Sequence, residues 1–234
     1  MIADRKVSST DSSTFDYEDK LLNDVAWMVV GSSGVAGLFD KFRERIGAYV
    51  ATNTNTPNLT YENVVIEIEK ITRELNQTYR EVLRGNYFDV LIGIKSTTAT
   101  NLLHVHPFGF AENVRRYKAI GHGEPYGSLY LKKLWHKSMT MEEVAGLGFF
   151  IIRSIEVNEL DDSVGVGEEG KPQIFFIPNQ PIPAGTPPEE WPKYNPKQVD
   201  EELLRHLEEQ TKERLQYQRK SLMELLRARP APSA

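Results

Sequence analysis

The apolar residues of this 234-residue chain fall into blocks with two different periods. Short blocks come first. Residues 1–7 predict a strand, residues 8–13 a polar turn, and residues 15–22 a second strand. Asn23 and Asp24 then turn the chain into residues 25–30, VAWMVV. That run is too short for a helix and is bounded by turn residues, the pattern of a strand covered on both faces. Gly31-Ser32-Ser33-Gly34 ends it, and Val35, Leu38, Phe39, Phe42 and Ile46 recur at helical spacing with charges between them. After a loop rich in Asn, Thr and Pro, Thr60 is placed to cap a second helix that reaches about residue 83. Its apolar stripe is Val64, Ile68, Ile71, Leu75 and Leu83.

Three strands are predicted next, over residues 89–95, 101–106 and 117–120. The turn Gly121-His122-Gly123 leads into a third helix over residues 126–134. Thr140 and Glu143 have the spacing of a capping box, in which each side chain bonds the other's backbone N–H. They open a fourth helix whose apolar face is Val144, Leu147, Ile151 and Ile155. A polar loop over 161–170 precedes a last strand at 173–177. Strands, helix pair, strands, helix pair, strand: such segregated blocks predict an α+β fold. Helices would cover both outer faces of antiparallel sheets in a four-layer αββα sandwich. This domain would occupy residues 1–179, a proline-rich linker 180–196, and a charged helix with its tail 197–234. The helix, over 197–227, is acidic early and basic late, as the helix dipole favours. Val199, Leu203 and Leu207 at intervals of four, then Leu215, Leu222, Leu225 and Leu226 less regularly, form an imperfect stripe on it, suited to its own domain or to a neighbouring subunit. Trp191 and Tyr194 read as aromatic anchors within the linker.

Composition narrows the function classes. Hydrophobic content of 40% and charged content of 26% are ordinary for a globular protein. A net charge of -5 gives no basic footprint, so no nucleic-acid partner is expected. With no cysteine, disulfides and thiolate metal sites are excluded. No apolar run approaches the roughly 18 residues of a membrane helix, and no secretory signal opens the chain. A cytoplasmic location without a membrane partner is the expectation.

Taken singly, the candidate residues are bland. An Asp4-Arg5 pair at a strand end is ordinarily a surface ion pair, and Lys20 ordinarily a solvated lysine. Residues 31–34 lack the Lys-Ser/Thr that a phosphate loop needs. His104 and His106, two apart on a strand, share a face, but no third ligand at suitable spacing is evident. They read as a structural or solvated pair, and no metal or organic cofactor is expected. His122 reads as a turn residue bonded to backbone before it reads as an acid or base.

Taken in order, "IADRK", Lys20, "VVGSSG" before a helix, "HPFG" after a strand, "AIGHGEP" and "MTMEEVAGLGFFII" resemble the proteasome β-type subunits of the N-terminal-nucleophile hydrolases. The resemblance covers residues 1–179 and implies threonine-type hydrolysis of peptide bonds. In that chemistry an N-terminal Thr attacks the carbonyl, its amine or a water acts as base, a Lys lowers the hydroxyl pKa, and an Asp holds the Lys. Asp4 matches that Asp, and Lys20, sixteen residues on, matches that Lys. The N–H of Gly31, where the buried strand is expected to turn into a helix, would stabilise the oxyanion. Asp161, Asp162 and Ser163 match the later Asp-x-x-Ser-Gly, with the Ser displaced by one position. His122 stands where the family places a Ser. Peptides or unfolded proteins would be substrates, and other proteasome-like subunits or further copies of the chain would be ring partners.

The nucleophile itself would lie about a dozen residues before Met1, at the start of a strand that hairpins into residues 1–7. The opening Met1-Ile2-Ala3 reads as the tail of a strand pair, so the expectation is a parent chain that carries it. The rival expectation is an inactive structural or assembly subunit of a proteasome-like ring, favoured by His122 and the displaced Ser163. A third is a binding module whose terminal helix recruits a partner.

Overall fold

The computed structural model describes residues 1–4, 6–8, 15–17, 20–23, 27–53, 60–83, 87–95, 100–162, 164–166, 171–179, 183, 186–187, 190 and 193–227. Ten strands and six helices are found among them: β1 (Ile2–Ala3), β2 (Lys6–Ser8), β3 (Phe15–Tyr17), β4 (Leu21–Leu22), β5 (Met28–Ser33), α1 (Ala36–Asn53), α2 (Tyr61–Thr78), α3 (Arg80–Leu83), β6 (Asp89–Lys95), β7 (Thr100–Val105), β8 (Ala111–Asn113), α4 (Glu124–Leu134), α5 (Met141–Val157), β9 (Gln173–Phe176), β10 (Lys197–Gln198) and α6 (Glu201–Arg227). One sheet has five strands in the order β4-β5-β6-β7-β8, and a second has three in the order β1-β9-β10. β2 and β3 form a separate ribbon. All pairings are antiparallel.

Alternation along β5, β6 and β7 sorts side chains to two faces. Met28, Val30, Val90, Ile92, Ile94, Leu103 and Val105 point to the outer face and are buried against Leu38, Phe42 and Ile46 of α1 and Val64, Ile68, Ile71 and Leu75 of α2. The opposite face meets the second sheet, where Leu21 and Val29 pack on Phe175 with Met1, Ala3 and Ile177 around them. Space there is tight: a Cβ on Gly93 would stand 1.9 Å from Ile177 and 3.0 Å from the Met1 sulfur. On the far side of the second sheet, Ala145 and Phe149 of α5 and Leu204 and Leu207 of α6 enclose Ile174. The molecule is thus an α+β fold of two antiparallel sheets flanked by helices.

The caps at Thr60 and Thr140 form as the spacing requires. Thr60 Oγ1 accepts from the Asn63 N–H, and Thr140 and Glu143 complete a reciprocal capping box. Several boundaries differ from the sequence reading. The first strand is split between two sheets at Asp4. The second helix breaks at Tyr79. Residues 117–120 form no strand, whereas 111–113 do, because the hairpin after β7 closes tightly through the 106–109 turn. Lys197 and Gln198 pair with Phe176 and Phe175 as β10, so the final helix begins at Glu201. Val144, expected on the core face of α5, is 41% exposed, while Leu147, Ile151 and Ile155 are buried. Residues 25–26 and Trp191 lie outside the described residues, as do the side chains of Leu222, Leu225 and Leu226.

Candidate active site

β1 ends at Ala3, and the next side chain, Asp4, turns toward the end of the β3–β4 connection. There the Lys20 ammonium donates to both Asp4 carboxylate oxygens, each at 3.0 Å. The pair is largely withdrawn from water, with a quarter of the Lys20 side chain and less of Asp4 exposed. Asp4 is held from a second direction. The Gly165 N–H donates to its Oδ2 at 3.3 Å, and the Lys6 N–H donates to the Gly165 carbonyl at 3.1 Å. Burial raises the Asp4 pKa above the usual carboxylate range, against the opposing pull of the Lys20 charge and these N–H donors.

A side chain that the sequence reading did not single out fixes the position of Lys20. Gln173, buried at the start of β9, accepts from the Leu21 N–H at 2.6 Å and donates to the Leu21 carbonyl at 2.8 Å. Leu21 turns its other edge toward Gly31 of β5. The Gln173 amide therefore occupies the place of a neighbouring strand's backbone, tying the two sheets together one residue from Lys20. A polar residue at the head of the apolar run QIFFI was the signal available for it.

Gly31 is not at the strand–helix turn. It lies inside β5, opposite both Leu21 and Leu91, so its N–H belongs to the sheet ladder. Strand β5 continues to Ser33, and the chain leaves the ladder at Gly34, which is exposed with φ of +121°. That conformation favours glycine, and a Cβ there would also stand 3.0 Å from the Tyr87 carbonyl. Gly31 nonetheless borders the ion pair, its would-be Cβ position lying 3.7 Å from the Lys20 carbonyl and 3.5 Å from the Met1 side chain.

The 161–166 loop closes one side. The Val164 N–H bonds the Asp161 carbonyl at 3.2 Å, and Val164 packs so closely on Gly123 that a Cβ there would sit 2.7 Å away. Through Gly165 this loop reaches Asp4 by backbone. Asp161 is half-buried and Asp162 exposed, and Ser163 lies outside the described residues. Gly121, with φ of +95°, sets its turn against Ser33. His122 is exposed at the tip. The arrangement supplies a fixed positive charge beside a strand edge, with exposed backbone at Gly34 on the exit of β5. Such a charge lowers the pKa of a hydroxyl or amine brought next to it.

Among the described residues, the group able to hold a metal ion is His104, His106 and Glu112, two strands from Gly31. No described helix is long and apolar enough to cross a membrane.

The fold is similar to Anbu (ancestral beta-subunit) from Yersinia bercovieri, with a TM-score of 0.68 at 13% identity, covering 99% of this chain and 93% of that one. It is also similar to Anbu from Hyphomicrobium sp. strain MC1, with a TM-score of 0.65 at 16% identity, covering 100% of this chain and 94% of that one. No match is found among the curated proteins. The family model described as "Proteasome subunit" matches residues 1–167, most of the chain, including Asp4, Lys20, the β5 exit and the loop that touches Asp4, and the chain belongs to the proteasome subunit family.

Proposed function

We propose that this chain is a proteasome-like subunit that hydrolyses peptide bonds by threonine-type chemistry, with Asp4 and Lys20 as its electrostatic centre. The observation that carries the reading is the Lys20 ammonium, 3.0 Å from both Asp4 oxygens and largely withdrawn from water next to β4, which pairs with the Gly31 strand. An ion pair so withdrawn from water is a poor source of stability, so its better account is the field it projects. β1 pairs on one side with β9 and, among the described residues, is the edge strand of its sheet. A strand bearing an N-terminal Thr, Ser or Cys, added antiparallel to the open edge of β1, would bring its hydroxyl or thiol toward Lys20. The stacking of helices, two sheets and helices is in keeping with the four-layer αββα sandwich of N-terminal-nucleophile hydrolases. The N–H offered to the oxyanion belongs in this reading to Gly34, beyond the ladder, and Gly31 acts as the narrow floor against Met1. Asp161 and Asp162 lie shortly before Gly165, whose N–H supports Asp4, and Ser163 keeps in this reading the role that the family resemblance implies. Substrates are peptides or unfolded polypeptides, and the subunit works in a ring.

The second reading is an inactive ring subunit kept for assembly. His122 favours it, since an exposed imidazole at the tip of the 121–123 turn replaces the hydroxyl expected to orient a terminal amine. Sequencing the gene upstream of Met1 separates the two. An in-frame strand that begins with Thr, Ser or Cys is expected, and an in-frame stop codon removes the enzyme. The protein expressed with that strand should cleave a fluorogenic peptide amide, and Lys20→Ala should lower the rate by at least about a hundredfold. Unchanged turnover in that variant would refute the role of Lys20.

A further inference from the structure

We infer that the β7–β8 hairpin carries a binding site for one divalent transition-metal ion of the zinc type, ligated by His104 Nδ1, His106 Nε2 and Glu112. The sequence placed the two histidines on one face and lacked a third ligand. The register supplies it: His104 pairs directly with Glu112 across β7 and β8. Residues directly opposite in a sheet project to the same face, and His106, two residues beyond His104, shares that face.

The three ligand atoms lie within 4.8 Å of one another, and the two edges that meet at Glu112, one of them a long hydrogen bond from His104, have the length of those in a metal site. Glu112 Oε1 lies 3.3 Å from His104 Nδ1 and 3.2 Å from His106 Nε2. With metal–ligand bonds of about 2.0–2.1 Å, the edge of a tetrahedral site is about 3.3 Å. Charge-assisted hydrogen bonds to a carboxylate close to about 2.7–2.9 Å instead. His106 Nε2 is buried and has no hydrogen-bond partner despite its nearness to Glu112. His104 is 96% buried by its 4% exposure, and its Nε2 likewise lacks a partner. That second nitrogen faces the Asp89 carboxylate at 3.5 Å. A histidine that ligates through one nitrogen commonly gives the other N–H to a carboxylate, which fixes its tautomer, and Asp89 stands where that carboxylate belongs.

The scaffold is rigid. The Gly109 N–H bonds the His106 carbonyl at 2.8 Å, and the His106 N–H bonds the Phe110 carbonyl at 2.9 Å, closing the turn. Gly109 has φ of +78°, and a Cβ there would lie 2.6 Å from the Glu69 carbonyl. The Glu69 side chain accepts from the Ala111 N–H at 2.6 Å, anchoring the hairpin to α2. The His106 ring stacks on Phe110, centroids 4.2 Å apart, which limits its rotation. Glu112 is half exposed, so the fourth coordination position opens to solvent, the arrangement of a two-histidine, one-carboxylate zinc site with a water.

The test uses the full, untagged chain stripped of metal. Zn2+ is titrated against a chromophoric chelator, and Co2+ is followed by its visible absorption. One ion per chain is expected, with the intense visible bands of four-coordinate Co2+. Glu112→Gln and His106→Asn should each weaken binding at least about tenfold, and Asp89→Asn by about tenfold through loss of the outer carboxylate. Glu112 is at the surface, so its variant keeps the fold, which thermal melting without metal verifies. Binding of less than one ion, a weak six-coordinate Co2+ spectrum, or unchanged affinity in the Glu112 and His106 variants would each overturn the site.

Discussion

One row of paired residues crosses the five-stranded sheet on its inner face: Leu21, Gly31, Leu91, His104 and Glu112. At about 4.8 Å per strand it spans about 19 Å, and a charged cluster sits near each end. The two are finished differently. At the β4 end, Asp4 receives two bonds from Lys20 and one from Gly165, and Gln173 satisfies the backbone of the adjacent residue. At the β8 end, two imidazole nitrogens are buried with no partner. An unsatisfied buried polar group costs about 1–3 kcal/mol, and an added cation would relieve one of the two, His106 Nε2, while His104 Nε2 faces Asp89 at 3.5 Å. The first completes itself within the chain and leaves only its field to act outward. The second asks for a ligand.

The largest expected effect lies under the first cluster. Gln173→Leu removes both bonds to Leu21 and leaves a buried N–H and C=O unpaired, so it should cost about 2–5 kcal/mol in chemical denaturation. At about 2–4 °C per kcal/mol for a chain of this size, the melting temperature should show it clearly. His104→Leu, measured without metal, should stay within about 1 kcal/mol of the parent, because it replaces a buried ring with an unsatisfied nitrogen by an apolar group. If it proves as costly as Gln173→Leu, the histidines are a structural network and the contrast between the two ends is lost. Next in size is Lys20→Met, which strands the Asp4 carboxylate. Solvent reaches a quarter of the Lys20 side chain, so the expected loss at neutral pH is about 1–2 kcal/mol, below that for a fully buried pair.

The sequence carried the first cluster and not the second for a physical reason. Asp4 and Lys20 stand in a recognisable order with the blocks around them, and the capping residues Thr60 and Thr140 announce themselves through local spacing alone. So do the buried stripes of α2 and of β6, where alternation and helical periodicity record which face is covered. Glu112 becomes a neighbour of His104 only through strand register, which is set by how the 106–109 turn closes. Gly109 has to adopt a positive φ against α2 for that closure, and nothing in the apolar pattern of residues 111–113 marks a strand. The same kind of distance hides Gln173, whose partner is 152 residues away. The misplaced turn at Gly31 is subtler. Two glycines bracket Ser32 and Ser33, and the alternation that carries β5 through to Ser33 continues with small polar residues instead of apolar ones.

The smallest expected effect tests whether the Asp4–Lys20 pair is kept for stability or in spite of it. Burial is the dominant influence on Asp4 and raises its pKa from the ordinary 3.8, even with Lys20 opposing. The folded chain therefore holds the Asp4 proton more tightly than the unfolded chain does. Stability from this group is fully present below 3.8 and is lost as pH rises through the raised value, the reverse of a carboxylate that gains from its ion pair. Asp4→Asn removes that titration while leaving a hydrogen-bonding group of the same size. Urea midpoints for the parent and the variant, compared from acid to neutral pH, should show the parent losing ground relative to the variant as pH increases. A parent that instead gained ground would mean that Lys20 outweighs desolvation, and the pair would then need no explanation beyond holding β1 to β4. A parent that loses ground keeps an ionised aspartate against its own folding preference, and positioning the Lys20 charge is what the geometry offers in return.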